Sequence, residues 1–140
     1  MMHLPRAVCL LLPGSDGMFL ATSRRNSTTQ WGMPGGKVDQ GEADIDAIVR
    51  EVKEETGYML IPDKLVALYA GPCTGEKEFW VTTFCSKIPV EHFPELACEP
   101  DILYKMQPIS VFLNVDSSPF AAYNQHVFTI YDRYKGVIYG

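Results

Sequence analysis

Positive charge is scarce in this chain: 12 Lys and Arg stand against 17 Asp and Glu, a formal net charge of −5. A surface built to hold long nucleic acid needs clustered Lys and Arg against the phosphates, and the charge argues against that class. A small nucleotide is not excluded, because bound metal can neutralise its phosphates. Cysteines are few and scattered: Cys9, Cys73, Cys85 and Cys98 form no CxxC pair and no ligand-like cluster with His3, His92 or His126. That disfavours zinc and makes free thiols in a reducing compartment the expectation. Long apolar runs are absent too. The start, MMHLPRAVCLLLPGSDG, breaks at Pro13-Gly14, too soon for a membrane span or a signal-peptide core. Repeats, low-complexity tracts and long linkers are also missing. These absences leave a single domain over residues 1–140, cytoplasmic and unattached to membrane, with an ordinary globular composition of 46% apolar and 21% charged residues.

The apolar residues that are present set a coarse order of elements. Residues 7–12 (AVCLLL) form a continuous apolar run that suits a strand buried on both faces. Pro13 to Gly17 is dense in turn formers and residues 18–23 (MFLATS) resume as a strand, which predicts a hairpin. Residues 24–30 read as polar loop, and Trp31-Gly32-Met33-Pro34-Gly35-Gly36 as a tight, glycine-rich approach to a helix. That helix is predicted from about residue 43 to 56, with Asp44 and Asp46 at its positive end and Gly57 as its stop. Strands come next at 65–69 and 79–85, with a loop at 71–77 between them. Residues 86–101, with three prolines, read as irregular, and one short strand falls within 102–111. Ser118-Pro119 looks like a helix start, with Phe120, Tyr123, Val127, Ile130 and Tyr134 at helical spacing behind it. Strands interleaved with two helices make an α/β layered domain.

The first helix carries the chemistry. At about 100° per residue, Glu51, Glu54 and Glu55 share one face, beside an apolar stripe of Ile45, Ile48, Val49 and Val52. The apolar stripe docks on the sheet and the acidic one stays at the rim. Three carboxylates so close repel one another, which a hard divalent cation relieves; all-oxygen ligands select Mg²⁺ or Mn²⁺. EF-hand spacing is absent, which argues against a calcium loop. Arg50 lies four residues before Glu54 and can hold its rotamer. Gly35 and Gly36 let backbone pass close to the helix face.

These residues sit in one register. From Gly36 to Tyr58 the chain reads GKVDQGEADIDAIVREVKEETGY, fitting G-x5-E-x7-R-E-U-x-E-E-x-G-U, with U a bulky aliphatic, at Gly36, Glu42, Arg50, Glu51, Glu54, Glu55 and Gly57. This resembles the signature of the Nudix hydrolases, which cleave a diphosphate linked to a nucleoside, and within them the MutT-like kind. Tyr58 departs from the aliphatic of the pattern and is expected to pack behind the helix end. The resemblance implies an α/β/α sandwich with a mixed β-sheet between helices. It implies Mg²⁺, with Mn²⁺ as substitute, on Glu51, Glu54 and Glu55, and the carbonyl of Gly35 as a further ligand.

The reaction so implied is hydrolysis of a nucleoside triphosphate, oxidised or not, to the monophosphate and pyrophosphate. RNA 5′-end pyrophosphohydrolysis and cleavage of dinucleoside polyphosphates or nucleotide sugars are the alternatives. The catalytic candidates are Glu54, Glu51 and Arg50. The base comes either from the signature or from a later acid, Glu99 or Asp101 ahead of Glu95. Lys37, Arg24 and Trp31 are the candidate substrate contacts, and Phe79, Trp80, Tyr69 and Phe84 further aromatics that could stack on a base. Gly36, Glu42 and Gly57 are read as structural. The expected partner is a small nucleotide, with a homodimer left open.

Overall fold

The computed structural model describes residues 4–14, 16–25, 27–73, 78–91, 96–99 and 102–139, and for Thr28 and residues 96–99 the backbone only. Along the chain run β1 (Arg6–Leu11), β2 (Met18–Arg24), β3 (Ser27–Gly32), β4 (Gly35–Lys37), α1 (Asp44–Thr56), β5 (Leu65–Cys73), β6 (Phe79–Ser86), β7 (Leu96–Glu99), β8 (Ile102–Pro108), α2 (Ile109–Leu113) and α3 (Ala121–Tyr139). They build two four-stranded sheets, in the orders β4-β1-β6-β5 and β3-β2-β8-β7. The first is mixed, because β1 runs parallel to β6 from Arg6↔Trp80 to Leu11↔Cys85 and antiparallel to β4. Every pairing of the second is antiparallel.

Strand side chains alternate between faces, and here each face has its own core. Leu10, Leu12, Leu20 and Phe84 pack with Ala47, Ile48 and Val52 of α1. Their neighbours Leu11, Phe19, Ala21 and Cys85 pack with Phe112 of α2 and Phe128 and Tyr131 of α3. The apolar run of β1 is therefore explained by a strand covered on both sides, and the α/β/α layering expected of the chain is what forms. Phe19 anchors the second core through edge contacts to Phe128 at 5.0 Å and Tyr131 at 5.7 Å. Ile48 has no exposed surface, and its truncation to Ala would cost about 2–5 kcal/mol.

Several local expectations change. β1 and β2 do not pair as a hairpin. Hairpin contact is confined to the turn, where Gly14 N–H bonds the Met18 carbonyl (2.7 Å), Leu20 N–H bonds the Leu12 carbonyl (3.0 Å) and a Pro13↔Phe19 bridge forms, before each strand enters a different sheet. The polar stretch 24–30 is mostly β3, held against β2 by Thr22↔Gly32 and Ser23↔Trp31; polar side chains hid a strand whose stability is in its ladder. Residues 96–99, expected to be irregular, form β7 against β8. The strand after Leu65 runs on to Cys73, and β8 ends at Pro108 in the short helix α2.

The helices follow their signals more closely. α1 starts at Asp44, one residue later than predicted, and Gly57 caps it at φ 76°, its N–H bonded to the Lys53 carbonyl. Tyr58 packs half-buried against the α1 core, as expected of a residue behind the helix end. α3 starts at Ala121, where Ser118 Oγ accepts the Phe120 N–H at 3.3 Å. Its buried face is turned from the predicted one: Asn124, Val127, Phe128 and Tyr131 point inward, while Tyr134 is 48% exposed.

Candidate active site

Strand β4 and helix α1 place the acidic face. Beside β4, Leu10 N–H donates to the Pro34 carbonyl at 2.9 Å and Val38 N–H to the Arg6 carbonyl at 3.0 Å. Alternation along an antiparallel pair then turns the carbonyls of Gly35 and Lys37 away from β1, and that of Lys37 accepts Arg50 Nη2 at 3.2 Å. Both glycines are required by close approach. A Cβ on Gly35 would strike the backbone of Val8 and Cys9, and one on Gly36 would sit 2.6 Å from either carboxylate oxygen of Glu51. Glu51 thus lies directly on the bare Gly36 backbone.

Arg50 is the organising cation. Its Nε donates to Glu42 Oε2 at 2.8 Å and its Nη2 to Glu42 Oε1 at 3.0 Å, a two-pronged pair. Its Nη1 reaches Glu51 Oε1 at 3.0 Å and Glu54 Oε2 at 3.4 Å. Glu42 Oε1 also accepts the Asp39 N–H at 3.0 Å, which ties the loop before α1 to the same knot. The Arg50 fork and the Asp39 amide hold the Glu42 carboxyl down at about 2, and Glu42 in turn raises Arg50 further above its already high value. The i,i+4 partner suggested by the sequence, Glu54, is the weaker contact; Glu42, eight residues back, is the stronger. A second clamp holds the start of the helix, where Asp44 pairs with Arg6 and accepts the Thr82 hydroxyl at 2.7 Å.

Glu51, Glu54 and Glu55 project from one face of α1, but they are not closed into a cage. Glu51 is 17% exposed at its side chain and Glu54 60%. Among the described residues no three acidic, imidazole or thiol groups already stand ready around one ion. The donor set is nonetheless hard oxygen throughout, the kind Mg²⁺ and Mn²⁺ select. Exposed Glu54 has the rotamer freedom to turn toward Glu51.

On the other side of β4 lies a cleft of about 250 Å³. Its wall includes Gly35, Gly36 and Lys37, with Cys9, Phe79 and Tyr123 across from them. Hydrogen bonds fix its floor: the Tyr123 hydroxyl donates to the Val81 carbonyl at 3.2 Å and lies 2.6 Å from Thr83 Oγ1, which lies 3.1 Å from Cys9 Sγ. Burial pushes the Cys9 thiol up to about 12, so this floor stays uncharged at neutral pH. Cys9, Tyr123 and Asn124 were not marked by the sequence. They meet because β1 runs parallel to β6 and α3 sets Tyr123 on Val81 and Thr83 of β6.

The remaining candidates separate. Phe79 and Lys37 line the cleft, whereas Phe84 is buried in the α1 core and Trp80 is 44% exposed. Tyr69 packs edge-on to His126, 4.6 Å between ring centres. Trp31, expected at the substrate, is 5% exposed in the second core, with Lys105 Nζ 5.3 Å from its ring centre. Arg24 lines a different cleft, along β2 and β3. Glu95 and Asp101 lie outside the described residues, as does the side chain of Glu99.

Two four-stranded sheets, a glycine strand and an acidic helix make an α/β fold, and comparison with known proteins assigns it a family. Residues 2–103 match the model of the NUDIX domain, and the chain belongs to that family. A MutT protein of Methanosarcina mazei Go1 is similar in structure, with TM-score 0.69 at 28% identity, covering 96% of this chain and 99% of that one. In sequence the chain is 35% identical over 71 residues to a provisionally named 8-oxo-dGTP diphosphatase of Bacillus subtilis strain 168, covering 51% of this chain and 46% of that protein. It is 29% identical over 96 residues to an RNA pyrophosphohydrolase of Wolbachia pipientis, covering 57% and 59%. The chain thus spans less than two thirds of the length of these curated relatives. No helix among the described residues is long and apolar enough to cross a membrane.

Proposed function

We propose that this chain hydrolyses a diphosphate linked to a nucleoside, most directly a nucleoside triphosphate to the monophosphate and pyrophosphate, with Mg²⁺ or Mn²⁺ as cofactor. The observation that carries the reading is Glu51. It rests on Gly36, a glycine that also walls the cleft lined by Phe79 and Tyr123. An acidic face and a cavity of nucleobase scale are thus a single strand apart. Glu51, Glu54 and Glu55 would hold the cation, with the Gly35 carbonyl as a fourth oxygen. A divalent ion held there neutralises phosphate oxygens and lowers the pKa of a water.

The chain's own residues supply the rest. Arg50 fixes Glu51 and limits the swing of Glu54, and Glu42 fixes Arg50. Glu54, more exposed than Glu51, would take a proton from the attacking water. Lys37, at the cleft mouth, meets phosphate charge, and Phe79 and Tyr123 enclose a base by aromatic contact. The net charge of −5 favours a small nucleotide over long nucleic acid, and the scattered thiols favour a cytoplasmic setting.

A substrate panel tests this reading: ribo- and deoxynucleoside triphosphates, oxidised purine triphosphates, nucleotide sugars, dinucleoside polyphosphates and 5′-triphosphate RNA, ranked by kcat/KM. Pyrophosphate and nucleoside monophosphate are the expected products. The activity should vanish with a chelator and return with Mg²⁺ or Mn²⁺. Turnover persisting in metal-free buffer would contradict the assignment.

A further inference from the structure

Two sulfurs meet on the wall of the cleft beside β4. Cys9 of β1 is opposite Gly35, and Leu10 N–H donates to the Pro34 carbonyl at 2.9 Å. Met33 therefore stands diagonal to Cys9 on the same face of the strand pair. The result is a thiol and a thioether side by side, Cys9 Sγ 3.8 Å from Met33 Sδ. Both side chains are only partly buried, and both line the cleft.

The hydrogen bonds of the cleft floor decide what lies between the two sulfurs. The Tyr123 hydroxyl gives its proton to the Val81 carbonyl, so the Thr83 hydroxyl must give its own to Tyr123. Cys9, 3.1 Å from Thr83 Oγ1, then gives its S–H proton to Thr83. Cys9 and Met33 are left facing each other with lone pairs and no proton between them. Sulfurs 3.8 Å apart can both bond one ion at about 2.3 Å, the length of a metal–thiolate bond. Thiolate and thioether together select a soft ion. Charge selects its valence. Among the described residues of the cleft wall, Lys37 alone is charged. A monovalent ion on one thiolate leaves the pair neutral. A divalent ion would add net positive charge to a wall that already carries Lys37.

We propose that Cys9 and Met33 form a binding site for a soft monovalent cation, Cu(I), separate in chemistry from the hard-oxygen face of α1. Binding forms one bond from the ion to Cys9 Sγ and one to Met33 Sδ. The Cys9 thiol proton leaves to solvent, and no electron is transferred.

Anaerobic titration of the full chain with Cu(I), in competition with bicinchoninate, reads binding without turnover, so its outcome is independent of the hydrolase reading. One Cu(I) per chain should bind at a site that Cys9→Ser and Met33→Leu each weaken by at least about tenfold, a loss that even a supporting partner's removal brings to a metal site. Excess Zn²⁺ should not displace the ion. Met33→Leu keeps the apolar volume, so it tests the thioether without depending on how Cys9→Ser folds. Cys73→Ser should bind as the parent does, because Cys73 is opposite Phe79 and Cys9 opposite Thr83, at different rungs of β6. In crystals of the parent soaked with Ag⁺, an anomalous peak is expected between the two sulfurs. Undiminished Cu(I) binding in Met33→Leu, a loss in Cys73→Ser equal to that in Cys9→Ser, or Ag⁺ found only at other thiols overturns the proposal.

Discussion

Arg50 and Glu42 form a two-pronged ion pair across eight residues of sequence, at 2.8 and 3.0 Å, and the loop amide of Asp39 closes on the same carboxylate. The pair connects the entry of α1 to its acidic face, so disturbance at one end is felt at the other. Glu42→Gln should weaken the fork and let Arg50 swing. Turnover should then fall by about a hundredfold, the scale of a misplaced catalytic group, with little change in KM. A variant with normal kcat would remove Glu42 from this positioning role.

The same carboxylate gives a pH signature. Glu42 is held at about 2 in the folded protein, below its unfolded value near 4.3. A depressed carboxyl adds stability that is fully present above the unfolded value and is lost as pH falls toward the folded one. The melting temperature of the parent should drop between about pH 5 and pH 2, and that of Glu42→Gln should drop less over the same window. Thermal scans at half-unit steps would decide it, and parallel curves would count against the linkage.

Glu54→Gln keeps the size of a side chain that is 60% exposed, so the fold should survive. Turnover should fall by at least about a hundredfold, as when a group stabilising transition-state charge is removed. Glu51→Gln should lower it as well, and also loosen Arg50. Near-normal kcat in Glu54→Gln would sink its assignment to the metal and the water.

Gly35 and Gly36 should fail in different ways. A methyl on Gly35 strikes the backbone of Val8 and Cys9, which cannot yield cheaply. Gly35→Ala should therefore cost stability, about 1–3 kcal/mol in denaturant titrations. A methyl on Gly36 strikes the movable end of Glu51, so Gly36→Ala should keep more of its stability and lose turnover. Equal loss of stability in the two variants would contradict the distinction.

Much of this was legible in the sequence, and the reasons for the rest are physical. The helix from 44 to 56, its Gly57 stop and its acidic face are local: periodicity and end signals suffice. The two-sided burial of β1 followed from an unbroken apolar run. β3 and β7 were missed because their strand character comes from ladders with β2 and β8, not from their own side chains. Arg50 invited pairing with Glu54 by helical spacing, yet it folds back to Glu42, because a loop returns that residue to the helix. Trp31 read as a base-stacking residue until its place under Lys105 was known. The cleft of Cys9, Phe79 and Tyr123 draws on three distant segments, and no local pattern joins them.

Leu10, Leu11 and Leu12 alternate between two separate cores, and that alternation makes the two halves of the molecule free to vary separately. Substitutions that repack Phe112, Phe128 or Tyr131 reshape the ground beneath α3 without touching Ile48 or Val52 beneath α1. A lineage could then remodel the wall that meets the base while its acid-bearing helix stays put. Changing what is bound would not require relearning how the bond is broken.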